Sequence, residues 1–184
     1  MDKRLRLITT CAMLAAMTTI ATMVIKVPTF GTNGYVNIGD ALVIVSAWMM
    51  GNPYGALAAG IGSALADLLL GYGSYAPATA VIKFAMAFVF TLIYRSMSKN
   101  HVPGFIASVT GSIVAEVIMV AGYFLYESTV MGYGIAASAS VVSNAIQGIV
   151  CIVLGNALVQ VLSRIPYVWV PNPQRLELSF PTFF

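Results

Sequence analysis

Charge is what this sequence has least of. Of its 184 residues only 8% are Asp, Glu, Lys or Arg, where a soluble domain carries roughly 25%. With 59% hydrophobic residues and a mean hydropathy of +0.89, a soluble fold would have to present apolar side chains to water nearly everywhere. A bilayer removes that penalty, so the composition excludes an ordinary soluble domain. Histidine is scarcer still. His101 stands alone in a polar turn before Pro103, which excludes, within one chain, chemistry that needs two imidazoles. Cys11 and Cys151 lie in separate apolar runs and read as small packing residues, neither a metal cluster nor a disulfide framework. A glycine-rich phosphate loop ending in Lys-Ser/Thr is missing, as is a His-Glu-x-x-His motif, so ATP hydrolysis and that class of metalloprotease are excluded. No soluble domain, no internal repeat, no cofactor motif and no nucleic-acid-binding signature can be read.

What remains is a series of long apolar runs between breaks. The N-terminus imitates a signal peptide, with Asp2-Lys3-Arg4-Leu5-Arg6 ahead of an uncharged run from Leu7 to Ile25. That run exceeds the 7–15 residues or so of a signal core and approaches the ~20 of a spanning helix. It is therefore kept as a helix of the mature protein. In lipid only closed helices satisfy the backbone at this composition. The expected fold is an all-α integral membrane protein, one domain over residues 1–184. Its six transmembrane helices are placed at about 5–27, 38–50, 53–70, 78–97, 103–126 and 135–165. Pro28 to Asn37 reads as a loop. Gly51-Asn52-Pro53 breaks the second apolar stretch into two helices, because proline removes a donor and restricts the residue before it. Charge decides for two. With six spans, Lys3, Arg4, Arg6, Arg95, Lys99, Arg164 and Arg175 all lie on the cytoplasmic side with both termini, as the positive-inside rule requires. The second helix is then short, about 20 Å at 1.5 Å per residue. The tail after Pro166 reads as a cytoplasmic or interfacial extension.

Ionisable residues at membrane depth are costly and usually pair or line a site. Asp40, Asp67, Lys83 and Glu116 fall there, with the amides Asn144 and Gln147, all in the outer half. Asp67 and Lys83 are expected to pair across helices 3 and 4, with ligand contact as the other reading. Asp40 suits a cap on helix 2, where a carboxylate favours the N-terminus. Glu116 has no evident structural partner and is read as a ligand contact. Tyr35, Tyr72, Tyr75, Tyr123, Tyr126 and Tyr133 cluster near the outer ends, either as an interfacial belt or around a cavity. Tyr123 lies seven residues from Glu116, on the same helix face. Asn144 and Gln147, three apart on one face, either bind ligand or hold helices together; one carboxylate, two amides and tyrosine faces suit a small, flat, polar heterocycle. Small residues recur every fourth position: Ala12 and Ala16 in helix 1, and Gly55, Ala59, Ser63 beside Ala56, Gly60, Ala64 in helix 3. Such stripes let helices approach closely in lipid, inside the bundle for helix 3 and towards a partner or the bundle for helix 1.

Several stretches resemble the S components of energy-coupling factor (ECF) vitamin transporters. They are Tyr35-Val-Asn-Ile-Gly-Asp40, Gly51-Asn-Pro-Tyr-Gly-Ala56, Gly60-Ile-Gly-Ser-Ala-Leu-Ala-Asp67, Gly71-Tyr72, Tyr75-Ala-Pro-Ala78 and Ile82-Lys83. Ala12-x-x-x-Ala16 is similar to the family's motif for docking on its coupling protein. The resemblance implies a multi-pass subunit of the bacterial cell membrane that captures a vitamin from outside. It then works with a transmembrane coupling protein and two ATP-binding-cassette ATPases, and is not an enzyme itself. It implies Lys83, Glu116, Tyr123, Asn144 and Gln147 on the substrate side and Ala12 and Ala16 on the docking side; Tyr75 is read with the substrate side, and Asp40 and Asp67 as structural or gating residues. Hydroxymethylpyrimidine or pyridoxine is ranked first as substrate and riboflavin next. The alternatives are a stand-alone secondary transporter of a polar heterocycle, for which only Glu116 offers a coupling carboxylate, and an intramembrane enzyme.

Overall fold

The computed structural model describes residues 3–29, 32 and 34–165. Six α-helices follow one another: α1 Lys3–Val24, α2 Gly39–Met50, α3 Tyr54–Leu69, α4 Ala76–Lys99, α5 Gly104–Thr129 and α6 Ser138–Ser163. The expected tail after Pro166 lies outside the described residues. Four helical stretches are long and apolar enough to cross a membrane: Arg4–Val24, Ala76–Lys99, Gly104–Thr129 and Gly134–Ser163. The other two, α2 and α3, are shorter, with 12 and 16 residues.

The short α2 forms the middle of the bundle. Every residue of Gly39–Met50 except Leu42 is buried, the pattern of a helix apolar on all sides and surrounded on all sides. It touches α1, α3, α4 and α6. Gly51 ends it with φ +66°, a left-handed conformation that glycine adopts without Cβ strain. Its neighbour α3 is small nearly all round for a reason the packing makes plain. A Cβ at Gly55 would stand 2.4 Å from the Ser46 carbonyl oxygen of α2, one at Gly60 2.7 Å from the Ala80 oxygen of α4, and one at Gly62 2.4 Å from the Ala15 oxygen of α1. Three helices therefore rest on the backbone of α3, and Thr19 of α1 donates to the Gly62 carbonyl at 2.7 Å.

One element differs from expectation. The stretch read as a loop contains an antiparallel hairpin, β1 Lys26–Pro28 with β2 Tyr35–Asn37, in the register Lys26↔Asn37, Val27↔Val36, Pro28↔Tyr35. Helix α1 accordingly stops at Val24, not Val27. The cause is local: the residue before a proline is pushed out of the helical region, and Val27 and Val36 face each other as β-branched partners. At the other end of the chain, Gly132 and Gly134 take positive φ of 75° and 55°. They are followed by a 3₁₀ turn, Gly134–Ala137, that leads into α6. Helix α5 runs on to Thr129, so Glu127, placed in a loop by the sequence reading, is helical.

Candidate functional site

The hairpin, the last turn of α1, the first halves of α4 and α6, and the second halves of α3 and α5 converge at one end of the bundle. Between them lies a cavity with an empty volume of about 440 Å³, mouth included. Its wall brings together Lys83, Tyr123, Asn144, Gln147 and Tyr75, five of the six residues expected on the substrate side, with Asp67. Glu116 is not in the wall. It sits one layer deeper, against Gly148 of α6. Ala12 and Ala16 are far from the cavity, on the exposed face of α1, while the neighbouring Ala15 turns towards α3.

The charges pair differently from the sequence reading. Lys83 Nζ lies 2.5 Å from Asp40 Oδ1, with both side chains almost fully buried, so the expected Asp67–Lys83 pair is not formed. Asp40 caps nothing: Ile38 holds the cap position, without a side-chain bond. Because α2 runs through the centre, its first turn meets α4 directly and turns the Asp40 carboxylate inwards. Gln147 completes the arrangement by donating from Nε2 to Asp40 Oδ2 at 2.5 Å and accepting the Asn37 backbone N–H on Oε1 at 2.6 Å. One amide thus ties the hairpin to the ion pair.

Asp67 takes Tyr35 instead, whose hydroxyl donates to Oδ1 at 2.6 Å. Burial first, and then the bond to Asp67, push the Tyr35 phenol well above the usual tyrosine range. The Tyr35 and Tyr72 rings meet at 4.7 Å. Tyr123 shares a 3.0 Å bond with Thr79 and presents its ring to the Lys83 ammonium at 5.3 Å, within cation–π range.

Sequence reasoning missed Glu127. Its carboxylate is 2% exposed and lines the cavity. It accepts from Tyr75 at 3.1 Å and from Ser140, joining the start of α4 to the start of α6. The signal was available: position 127 stands four residues beyond Tyr123 and eleven beyond Glu116, the same face if the helix continues. Tyr35, Asn37 and Thr79 also line the cavity. Among the described residues no cluster of three His, Cys, Asp or Glu could hold a metal ion.

The sequence model of the family described as ECF-type riboflavin transporter, S component, matches residues 3–164. The chain belongs to this family. S components are transporter subunits, not enzymes, and integral membrane proteins, in keeping with the four long apolar helices here. An uncharacterized protein from Pyrococcus woesei is 29% identical over 146 residues, covering 79% of this S component and 94% of that protein. Two solved structures share the fold. The S component of a bacterial ECF transporter superposes with a TM-score of 0.66 at 23% identity, over 88% of this chain and 97% of that one. The S component for biotin from an ECF-type transporter gives 0.54 at 14% identity, over 87% and 95%.

Proposed function

We propose that this S component captures a neutral, hydroxyl-bearing vitamin with a flat ring, riboflavin first, and hands it to an ATP-driven ECF complex. One observation carries the choice of ligand. Among the described residues Lys83 is the only Lys, Arg or His in the cavity wall, and Asp40 already neutralises it. Asp67 and Glu127 are acceptors in the same wall. A ligand anion would meet no free cation there, whereas a ligand bringing hydroxyl or amide donors meets carboxylates, amides and tyrosine faces. The three tyrosines of the wall, Tyr35, Tyr75 and Tyr123, suit a planar ring, and the ribityl chain of riboflavin supplies donors. The family's own description as a riboflavin type supports moving riboflavin ahead of hydroxymethylpyrimidine and pyridoxine. Those two satisfy the same chemistry with fewer hydroxyls.

In this reading all six helices reach across the bilayer of a bacterial plasma membrane. Both termini are cytoplasmic, and the cavity end faces out. The short α2 is tolerated because protein covers nearly all of it. Ala12 and Ala16, exposed on α1, offer a flat stripe to a coupling protein that works with two ATPases. The deciding experiment is mass spectrometry of the small molecule released when the purified full chain is denatured, followed by titration of the emptied chain with riboflavin, pyridoxine, hydroxymethylpyrimidine and biotin. Retention and tight binding of riboflavin support the proposal. Preference for biotin, which carries a carboxylate, would sink the ligand assignment, and ATP-independent transport by this chain alone in vesicles would sink the capture role.

A further inference from the structure

Glu116 is a buried group that lies outside the cavity wall. It is 4% exposed, and among the described residues neither carboxylate oxygen has a hydrogen-bond partner. The side chain is accommodated because position 148 is glycine: a Cβ there would stand 3.2 Å from Glu116 Cβ and 3.4 Å from Oε2. The titratable groups facing it are Lys83 from α4, Asp40 from α2 and Cys151 from α6. Lys83 is the single cation of this cluster, and it forms its ion pair with Asp40. An ionised carboxylate buried beside a neutralised pair, with no donor aimed at it, is among the costliest arrangements a membrane interior can hold.

We propose that Glu116 is a proton-binding site, and that its proton keeps intact the chain Lys83–Asp40–Gln147–Asn37 that holds the hairpin over the cavity. With the proton in place the cluster carries one anion and one cation and is neutral. When the proton leaves to water, two carboxylates compete for the Lys83 ammonium. Asp40 loses part of its partner, the Asp40–Gln147 bond loosens, and with it the 2.6 Å bond from Asn37 N–H to Gln147. The network is contiguous: every link from Lys83 to Asn37 is a hydrogen bond of 2.6 Å or less. This proton site does not depend on which vitamin occupies the cavity.

The test uses the full chain in lipid nanodiscs with no vitamin added. Infrared spectroscopy of the wild type should show the carbonyl band of a protonated carboxylic acid at neutral pH. The band should fade as pH rises, be absent from Glu116→Gln and persist in Glu127→Gln. Should Glu116→Gln fail to fold, growing the Glu127→Gln chain on heavy-carbon glutamate must shift the band. Hydrogen exchange reads the second half of the proposal. Relative to Glu116→Gln at each pH, the Asn37 amide of the wild type should exchange faster as pH rises through the same transition, by at most about tenfold per pH unit, the limit for one proton. No acid band at neutral pH, a band that survives Glu116→Gln or ignores glutamate labelling, or a wild-type to variant exchange ratio that stays flat with pH overturns the proposal.

Discussion

Lys83→Met and Asp40→Asn remove opposite ends of one ion pair, yet they should not cost the same. Lys83 and Asp40 are 2% and 0% exposed and 2.5 Å apart. Removing one partner of such a pair leaves the other charge buried and uncompensated, a loss of about 3–5 kcal/mol. Lys83→Met incurs all of it, because Asp40 then has only the Gln147 amide. Asp40→Asn leaves Lys83 beside Glu116, which has no hydrogen-bond partner of its own and, with Asp40 gone, can release its proton and re-pair the ammonium. The asparagine also still faces Gln147. The loss should be closer to that of a single charged hydrogen bond, about 1.5–3 kcal/mol. The double variant should recover part of the sum, with a coupling energy of about 0.5–3 kcal/mol. Adding Glu116→Gln should hurt Asp40→Asn more than it hurts the wild type, since it removes the reserve partner. The assay is reversible unfolding in mixed micelles titrated with a denaturing detergent and followed by circular dichroism, on all variants in one lipid mixture. If Asp40→Asn is as damaging as Lys83→Met, or if Glu116→Gln is indifferent to the Asp40 background, the electrostatic reading of this cluster is wrong.

Three further outcomes are expected. Gly62→Ala should destabilise by about 1–3 kcal/mol, the range for overpacking, because the new methyl meets the Ala15 carbonyl at 2.4 Å; a thermal melt unchanged from wild type would show that α1 and α3 can separate freely. Ala12→Leu or Ala16→Leu should abolish co-purification with a coupling protein while vitamin binding stays intact, since both side chains point away from the bundle; assembly and transport at wild-type levels would remove the docking role. In alkali, Tyr35 should ionise after the chain's ordinary tyrosines, being half-buried and bonded to Asp67. Its contribution to stability is then complete below the free-tyrosine range and declines above it. The late component of the tyrosinate absorbance should shrink by one tyrosine in Tyr35→Phe.

The helices were legible because their breaks are written in proline, glycine and charge. Gly51-Asn52-Pro53 divides α2 from α3, and Gly132 and Gly134 hold back the start of α6. The hairpin was hidden because three-residue strands carry no measurable periodicity, although Val27 before Pro28 could not continue a helix. The site was legible as a set of residues but not as a set of pairs. Lys83, Tyr123, Asn144, Gln147 and Tyr75 do converge, since each stands near the same end of its helix. Which acid Lys83 meets depends on α2 running through the centre, and nothing in the order of the helices says that. Glu127 was lost to a boundary set three residues too early, the least certain quantity in any reading from sequence.

Helix α3 has a mechanical consequence. Where helices meet through long side chains, rotamers absorb small displacements. Here α1, α2 and α4 meet α3 at Gly62, Gly55 and Gly60, backbone against backbone, and no rotamer lies between them to yield. A partner pressing on the exposed alanines of α1 would move the central helices with it, as a lever moves its fulcrum block. Room to yield is left to the turns around the cavity, where a Cβ at Gly71, Gly132 or Gly134 would meet nothing within 4 Å.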